Sequence, residues 1–371
     1  MSRILVGVMF VGAIALAGSA CKGDKDKAKN KPKPVAKTTE NAGQKAPPKD
    51  LTSEERVAFF QSCWGHFNAK DKAKFSQCYT EDTVQVQMDG GEEPLEGRAA
   101  VMEKLAAPYW AAFPDGHGTP QLTLVSGNRI ISVDLFQGTN TGELMGMPPS
   151  GKKVGYHMLH DFTGSGPGPM AKGDSYLDAA TLMGQVGASP APHRAAVEEV
   201  GEPIVVIAQD DDKERANLEL AKKTNEAFNA HDTKALMGMY ADDAVFRDMT
   251  MPADMNGSKE MLKGLQGFYK AFPDLKGEYT EMIAAGDYVA MFSVMTGTNK
   301  GAMPGMGLKK ATGKSISLHG AEVIRIADGK VAEHWMFANG MAMAIQLGLT
   351  PDPAAAAGDD DDEADDDNAE E

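Results

Sequence analysis

The stretch Phe228-Asn-Ala-His-Asp232 repeats Phe67-Asn-Ala-Lys-Asp71, which lies earlier in the same chain. Other segments recur at the same spacing: Tyr79-Thr-Glu-Asp82 with Tyr240-Ala-Asp-Asp243, Phe113-Pro-Asp115 with Phe272-Pro-Asp274, Gly138-Thr-Asn-Thr-Gly142 with Gly297-Thr-Asn-Lys-Gly301, Gly151-Lys152 with Gly313-Lys314, His157 with His319, and Gln185-Val-Gly187 with Gln346-Leu-Gly348. The spacing is about 160 residues, whereas solenoid repeats are roughly 20–50 residues long. The sequence therefore predicts two homologous domains in tandem, at 51–190 and 213–350, joined by a linker at 191–212.

The second repeat has the clearer pattern of helices and strands. Apolar residues recur at helical spacing in segments 217–230, 233–240 and 258–272, and Ser258 is the expected cap of the third helix. Strands are predicted at 244–248, 279–284, 288–297, 315–326 and 331–337, with turn-forming residues between them. This order indicates an α+β fold. We expect two cone-shaped domains, each with three helices packed on a strongly curved antiparallel sheet, and a pocket at the mouth of each cone.

Several motifs of the second repeat occur together in one known family. They are Tyr269-Lys-Ala-Phe-Pro-Asp274, Gly297-Thr-Asn-Lys-Gly301, Gly313-Lys314, His319-Gly-Ala-Glu322, Asp328-Gly-Lys-Val-Ala-Glu-His-Trp335 and Gln346-Leu-Gly348. With these motifs the repeat resembles the SnoaL-like ester cyclase (polyketide cyclase) family, which belongs to the nuclear-transport-factor-two-like, cystatin-like cone superfamily. The first repeat resembles it less, because residues 164–169 replace the Asp-Gly-Lys hairpin.

The resemblance implies acid–base chemistry at a carboxylate inside the cone, without a metal or another cofactor. In the family this carboxylate often follows Glu-His-Trp directly or lies three residues later, and these positions hold Met336 and Asn339 here. Neither side chain can accept a proton as a carboxylate does. Asp178 is the counterpart of Asn339 in the first repeat, and it is therefore a candidate catalytic residue.

Two further catalytic candidates are His319 and Glu322. They lie three residues apart on a predicted strand, so only one of the two side chains can face the cone. A structural role for His319 and for its counterpart His157 is the open alternative. The residues expected to line a ligand pocket are His157, Tyr176, Asp248, Trp335, Met336 and Asn339. No metal site is predicted, because His157, His160 and Asp161 do not converge on one ion at strand spacing.

The first 21 residues have the composition of a signal peptide. Arg3 precedes an apolar run that is too short and too rich in glycine and alanine for a stable membrane span. The run ends at Gly18-Ser-Ala-Cys21, which resembles the lipobox of bacterial lipoproteins. We expect a lipid on Cys21 and a location at the cell envelope, and Lys22 favours the outer membrane. An ordinary cleaved signal is the alternative.

The other two cysteines, Cys63 and Cys78, occur only in the first repeat. Their counterparts in the second repeat are Thr224 and Met239. An exported chain enters an oxidising compartment, so the sequence predicts a disulfide between them. Two buried free thiols are the alternative.

Segments of biased composition flank the two domains. Segment 22–50 contains nine lysines, four acidic residues and little apolar bulk, which predicts a disordered tether. Segment 351–371 is predicted to be a disordered acidic tail. The ten acidic residues from Asp359 to Glu371 account for most of the formal charge of −16, leaving −6 for the rest of the chain (−16 + 10). No nucleic-acid partner is expected, because such binding needs a basic face.

Three functions remain open from the sequence: a module that binds a small apolar ligand in its cones, a metal-free ester cyclase or isomerase, and a non-catalytic scaffold of the envelope. The missing acid positions favour a binding or scaffold function over catalysis. Duplication within one chain also predicts a monomer in which the two domains pair with each other.

Overall fold

A computed structural model describes residues 50–88, 93–304 and 308–350. The predicted signal peptide with Cys21, the tether up to residue 49 and the acidic tail lie outside the described residues. Residues 50–350 belong to one compact unit. No helix within the described ranges is long and apolar enough to cross a membrane.

The first domain combines helices with a seven-stranded sheet. Its helices are α1 (Ser53–Asn68), α2 (Lys72–Ser76), α3 (Arg98–Ala100), α4 (Ala107–Ala112) and α5 (Ala179–Gln185), with a π-helical segment at Val101–Ala106 between α3 and α4. Its strands are β1 (Tyr79–Gln87), β2 (Leu95–Glu96), β3 (His117–Ser126), β4 (Arg129–Thr139), β5 (Lys153–Gly164), β6 (Met170–Tyr176) and β7 (Ile204–Ile207). The strand order is β2-β1-β6-β5-β4-β3-β7.

The second domain repeats this arrangement with a six-stranded sheet. Its helices are α6 (Asp212–Asn229), α7 (Thr233–Gly238), α8 (Ser258–Ala271) and α9 (Gly340–Gln346). Its strands are β8 (Tyr240–Asp248), β9 (Met255–Asn256), β10 (Lys276–Ala285), β11 (Tyr288–Thr298), β12 (Ser315–Ala327) and β13 (Lys330–Phe337). The strand order β10-β11-β12-β13-β8-β9 matches that of the first domain strand for strand, without an equivalent of β7.

The α+β cone fold in two copies is confirmed, with two refinements. Each sheet is mixed, because β1 runs parallel to β6 and β8 runs parallel to β13. Each domain also carries a short C-terminal helix, α5 or α9, that the sequence pattern did not predict. Both helices follow directly on the last strand of the meander and cover the end of the cone.

The start of α8 differs from the expectation. Gly257, with φ +82°, occupies the N-cap position, and Ser258 is the first helical residue. The left-handed backbone at this position favours glycine, and Gly97 before α3 has the same conformation, with φ +85°. By contrast, α1 begins with a side-chain capping box, in which Thr52 and Glu55 each bond the backbone N–H of the other.

The segment predicted as a linker is part of the first sheet. Strand β7 pairs in parallel with β3, with Leu122 opposite Ile204. Just before it, the backbone of Val197 bonds Gly155, and the side chain of Gln137 bonds the carbonyl of Val197. The chain therefore crosses between the domains along the surface of the first sheet, and α6 begins at Asp212.

The two sheets pack against each other through one buried apolar layer. Its members from the first domain are Leu122, Leu124, Ile131, Val133, Leu159 and Tyr176, and those from the second include Met249, Ala285, Ala290, Phe292, Ala321, Val323 and Phe337. The helices cover the opposite face of each sheet. The long strands of each sheet thus have one face toward the other domain and one toward their own cone.

The structure joins Cys63 of α1 to Cys78, which precedes β1, by a disulfide with a Cα–Cα distance of 5.9 Å. The bond ties the long helix to the start of the sheet. Both cysteines are buried, and they form part of the apolar lining of the first cone.

Candidate functional site

Strand alternation decides which predicted residues can reach a cone. On β5, Met158, His160 and Phe162 face the helices of the first domain, whereas His157 and Leu159 face the second domain. The same alternation on the neighbouring strands defines an inner face for each cone. A residue one position out of phase lies between the domains instead.

The first cone contains a cavity of about 70 Å³. Its lining is mostly aromatic and aliphatic, with the disulfide on one side, and comprises Phe60, Cys63, Trp64, Phe67, Phe75, Tyr79, Gln87, Leu105, Tyr109, Phe136, Met158, His160, Phe162, Met170, Ser175 and Leu177. Few polar groups interrupt this lining. They are concentrated on the sheet.

The central polar pair of this cone is His160 with Asp134. Nδ1 of His160 donates to Oδ2 of Asp134 at 2.7 Å, and the hydroxyl of Ser132 donates to the other carboxylate oxygen at 2.7 Å. The Asp134 side chain is only 1% exposed. Because Nδ1 carries the proton for this bond, Nε2 is the acceptor nitrogen whenever the ring is neutral. No hydrogen bond to Nε2 is formed by the described residues.

Two further polar residues of the cavity extend from this pair across the sheet. Ser175 on β6 lies directly opposite His160, and Gln87 on β1 lies directly opposite Ser175. Within the described part of the chain, Nε2 of Gln87 and Nε1 of Trp64 are buried without a hydrogen-bond partner. A buried donor without a partner lowers the stability of the fold, and a hydrogen bond to a polar atom of a ligand would remove this cost.

The second cone also contains a histidine and a carboxylate, and these two groups are bonded to each other. Nε2 of His334 donates to Glu322 at 2.8 Å, and its Nδ1 lies 2.8 Å from the hydroxyl of Tyr240. The hydroxyl of Tyr279 donates to the same Glu322 oxygen at 3.1 Å. Burial raises the pKa of both tyrosines, with the Glu322 carboxylate adding to it. The network therefore holds neutral phenols that act as donors.

At the mouth of the second cone, Asp248 on β8 lies directly opposite Met336 on β13. Its carboxylate accepts hydrogen bonds from the backbone and the hydroxyl of Thr250. Burial raises the pKa of Asp248, and the negative charge of Asp178 adds to this effect. By strand phase, Met336 and Asp248 lie on the inner faces of their strands.

Three of the predicted pocket residues lie between the domains instead. The ring of His157 packs edge-on against Trp335, with their centroids 5.2 Å apart, and Tyr176 contacts Phe292. Arg247 stacks over the Trp335 ring at 4.7 Å. The placement of His157, Tyr176 and Trp335 in a cone was wrong, because each is out of phase with the inner face of its strand.

Asp178 and Asn339 cap the C-terminal helices. Asp178 accepts from the N–H of Thr181 at the start of α5, and Asn339 accepts from the first N–H groups of α9. Asp178 also accepts from the N–H of Gly340 in the other domain, at 3.1 Å. Burial raises the pKa of Asp178. Its geometry is that of a helix cap at the domain junction, and the structure does not place it in the cone.

Of the pair His319 and Glu322, only Glu322 faces the cone. His319 is exposed on the opposite face of β12. The histidine that Glu322 does contact, His334, belongs to the Glu-His-Trp motif and was not singled out from the sequence. Asp134 was also missed. The available signal was strand phase: His160 is the first-repeat counterpart of Glu322, so both belong to the inner face.

A second cavity, of about 220 Å³, lies between the domains and is strongly charged. Arg129 bonds both carboxylate oxygens of Asp161 at 2.6 Å, pairs with Glu281 and stacks over Phe292. Its other charges, Lys172 and Asp174, pair at 3.6 Å. The charged groups in this cavity thus satisfy one another, and they join the two domains.

A model of the SnoaL-like polyketide cyclase family matches the chain twice, at residues 54–186 and 218–347. The chain belongs to this family. Its two SnoaL-like domains therefore correspond to the two repeats predicted from the sequence. A comparison with curated proteins gave no match.

Solved structures give matches of one domain each. AclR of Streptomyces galilaeus, described as a candidate hydroxylase, is 30% identical, with 37% of this chain and 99% of AclR covered and a TM-score of 0.33. IdmH of Streptomyces antibioticus, a candidate polyketide cyclase, is 25% identical, with 36% and 98% covered and a TM-score of 0.31. A candidate SnoaL-like polyketide cyclase of Jannaschia is 17% identical, with 38% and 99% covered and a TM-score of 0.36.

Proposed function

We propose that this tandem SnoaL-like protein binds a small, largely apolar molecule, and that the first cone is the binding site. The observation that carries the proposal is the cavity of about 70 Å³, in which an apolar wall meets a few polar side chains. Small-molecule sites have this composition, although they are usually larger, at roughly 300–1,000 Å³. The small volume favours a ligand of few heavy atoms.

The polar groups of the first cone favour a ligand that carries an oxygen acceptor. Gln87 and Trp64 each contribute a buried N–H donor that has no partner within the described residues. The indole nitrogen can only donate. A carbonyl or ester oxygen would satisfy these donors without burying an additional unpaired group.

The second cone is proposed to support the first rather than to bind. Its central polar groups, Glu322, His334, Tyr240 and Tyr279, already pair with one another. A ligand would have to replace these bonds to gain its own. The buried apolar layer between the sheets joins the second domain to the first.

Native mass spectrometry of the purified Cys21→Ala protein tests the binding proposal. We expect a retained small molecule, or binding of short-chain ketones and esters, that is weakened at least tenfold by Leu177→Phe, which fills part of the cavity. His319→Ala, a change at an exposed position of the second sheet, is the matched control and should bind as the wild type does. Equal binding by the Leu177→Phe protein would contradict the assignment to the first cone.

We further propose that the protein is anchored at the envelope by lipid on Cys21, is monomeric with its two domains paired, and does not bind nucleic acid. The support for the anchor is the apolar run ending at Gly18-Ser-Ala-Cys21. Cys21→Ala should move the protein from the membrane fraction to the soluble fraction of the envelope. An unchanged distribution would overturn the lipid anchor.

Acid–base catalysis in the second cone is the second candidate function. Asp248 favours it, because this carboxylate faces the cone beside Met336 and burial raises its pKa. A raised pKa brings a carboxylate closer to the range in which it serves as a base near neutral pH. Isomerase turnover of a ketosteroid-like substrate that is lost in Asp248→Asn and kept in Asp178→Asn would establish this function. Absence of turnover in the wild-type protein would eliminate it for such substrates.

A further inference from the structure

The polar residues of the first cone form one row across four adjacent strands. Gln87 on β1 is opposite Ser175 on β6, Ser175 is opposite His160 on β5, and His160 bonds Asp134 on β4. The row therefore runs Gln87, Ser175, His160, Asp134. Three of its four members line the cavity, and Asp134 lies buried behind His160.

Ser175 has the setting of a reactive hydroxyl rather than of a structural one. The residue is 5% exposed, and no described residue forms a hydrogen bond with its side-chain oxygen. Directly opposed residues on antiparallel strands have their Cβ atoms about 4.5–5.5 Å apart, so the imidazole of His160 is within side-chain reach. The two side chains are not hydrogen-bonded in this structure, and such bonds are often long in ligand-free enzymes.

His160 is oriented as a base in this row. Asp134 fixes Nδ1 as the protonated nitrogen, and Ser132 holds the Asp134 carboxylate from its other side. The ring of His160 also stacks on Phe162, at an interplanar angle of 11°. Nε2 is left as the basic nitrogen of this cavity-lining ring. Nucleophile, base and orienting carboxylate are the three groups of a catalytic triad for acyl transfer.

We propose that the first cone hydrolyses small carboxylic esters, with Ser175 as nucleophile, His160 as general base and Asp134 as its positioning residue. This inference rests on the proposed function, in which the same cavity holds a small ligand. In the first step the Ser175 oxygen bonds the acyl carbon, its proton passes to Nε2 of His160, and the C–O bond to the leaving alcohol breaks as that proton is delivered to it. In the second step water, deprotonated by His160, attacks the acyl carbon, releases the carboxylic acid and returns the proton to Ser175.

The unpartnered donors of the cavity complete this arrangement. Gln87 lies beside Ser175 in the row, and Trp64 lines the same cavity from α1. Their N–H groups are placed to stabilise the oxyanion that forms on the acyl carbonyl. The cavity volume of about 70 Å³ restricts the acyl group to a short chain, such as acetyl or propionyl.

The second cone provides an internal negative control. Its corresponding row contains Asp248, Met336 and Glu322, and its counterpart of Asp134 is Ser293. It has no hydroxyl at the position of Ser175. Any esterase activity of the chain should therefore map to the first domain alone.

Labelling of the wild-type protein with a small fluorophosphonate, followed by peptide mapping, is the direct test, since it requires no variant to fold. We expect one adduct, on Ser175, together with hydrolysis of 4-nitrophenyl acetate. Turnover should fall at least 100-fold in Ser175→Ala and His160→Gln. Asp134→Asn should lower kcat at least tenfold and shift the pH profile, with KM little changed, whereas Ser293→Ala in the second cone should match the wild type.

An adduct on another residue, or turnover that persists in Ser175→Ala, would overturn the proposal. If no adduct forms although the first cone retains a small molecule in native mass spectrometry, the ester hydrolysis fails and the binding function stands. If neither is observed, both fail.

Discussion

The two cones of this chain have the same backbone fold but differ in the residues at one row of equivalent positions. In the first cone the row holds Gln87, Ser175 and His160 beside a cavity, and the donors of Gln87 and of neighbouring Trp64 lack partners among the described residues. In the second cone the central groups pair with each other, and Met336 separates Asp248 from Glu322. The duplicated fold thus contains unpaired donors in one cone and a paired polar network in the other.

One pair of equivalent positions shows how this difference arises. Glu322 pairs with His334 on the next strand, β13, whereas His160 pairs with Asp134 on the opposite neighbour, β4. The first domain has Gly173 where the second has His334, and Phe162 and Gln85 fill the space beside that glycine. The position that holds the Glu322 carboxylate in the second cone thus holds the His160 imidazole in the first, where it lies directly opposite Ser175 on the next strand.

The segments that the two repeats share have mainly structural roles. Asn68 and Asn229 each bond both the N–H and the carbonyl of a glycine at the start of β3 or β10. Asn140 and Asn299 each close the loop after β4 or β11 through bonds to backbone on both sides. The repeated motifs therefore specify the scaffold, and the candidate site lies where the repeats differ.

Removal of His334 is expected to have the largest effect on stability. His334→Ala leaves the part-buried Glu322 carboxylate with Tyr279 alone. The change removes a hydrogen bond to a charged group and a buried ring, which together cost about 3–5 kcal/mol. Urea denaturation measures the loss. His319→Ala, which removes an exposed histidine from the same domain, is the control and should change the free energy of unfolding by less than about 0.5 kcal/mol. A loss below about 1 kcal/mol in His334→Ala would mean that the network does not stabilise the second cone.

Loss of the disulfide should destabilise the first cone selectively. The Cys63–Cys78 bond closes a loop with a sequence separation of 15 residues, which corresponds to about 3 kcal/mol in the chain-entropy model. Tryptophan fluorescence during denaturation of the Cys63→Ala/Cys78→Ala protein reports the change, since Trp64 and Trp110 both lie in the core of the first domain. A midpoint equal to that of the oxidised wild type would show that the bond contributes nothing.

Gly173→Ala tests whether the first cone has room for a side chain at the position where the second cone has His334. A Cβ atom at this position would lie 2.2 Å from Oε1 of Gln85 and 2.5 Å from the Phe162 ring. Gly173→Ala should therefore cost about 1–3 kcal/mol through overpacking. Gly65→Ala is the matched control, because no atom lies within 4 Å of the new Cβ in α1 and helix propensity favours alanine. Equal stability of the two variants would contradict the packing argument.

Acidification should lower the free energy of unfolding by less than these substitutions do, through a histidine at the junction between the domains. Burial, together with Arg194 and Arg247, lowers the pKa of His157 to about 4, and Asp254 opposes this shift. Above the ordinary histidine pKa of about 6.5, His157 is neutral in both the folded and the unfolded state. As the pH falls from there toward 4, the unfolded state binds a proton that the folded state does not, so the free energy of unfolding decreases. We expect a loss of about 1 kcal/mol at pH 5.5 relative to pH 8.

His157→Gln should flatten this pH dependence of the free energy of unfolding, measured by urea denaturation at each pH. His319→Gln alters the equivalent but exposed position of the second repeat and should retain the dependence of the wild type. If His157→Gln responds to acid as strongly as the wild type, another group is responsible.

The sequence by itself determined the duplication, the family and the α+β class. These follow from local signals: segments recurring at domain spacing, helical and strand periodicity, and turns such as Asp328-Gly329, whose positive φ angles suit a two-residue hairpin. Cys63 and Cys78 could also be paired in advance, because they occur together in one repeat.

Only the tertiary structure decided which side chains share a site. A shift of one position along a strand moves a side chain from the cone to the domain interface, and this separated His157 and Trp335 from His160 and Met336. The row from Gln87 to Asp134 joins residues far apart in the chain through strand pairing, and no local pattern records that pairing. Asp178 and Asn339 became helix caps for a similar reason, since the capped helices α5 and α9 are short and rely on packing at the end of each cone.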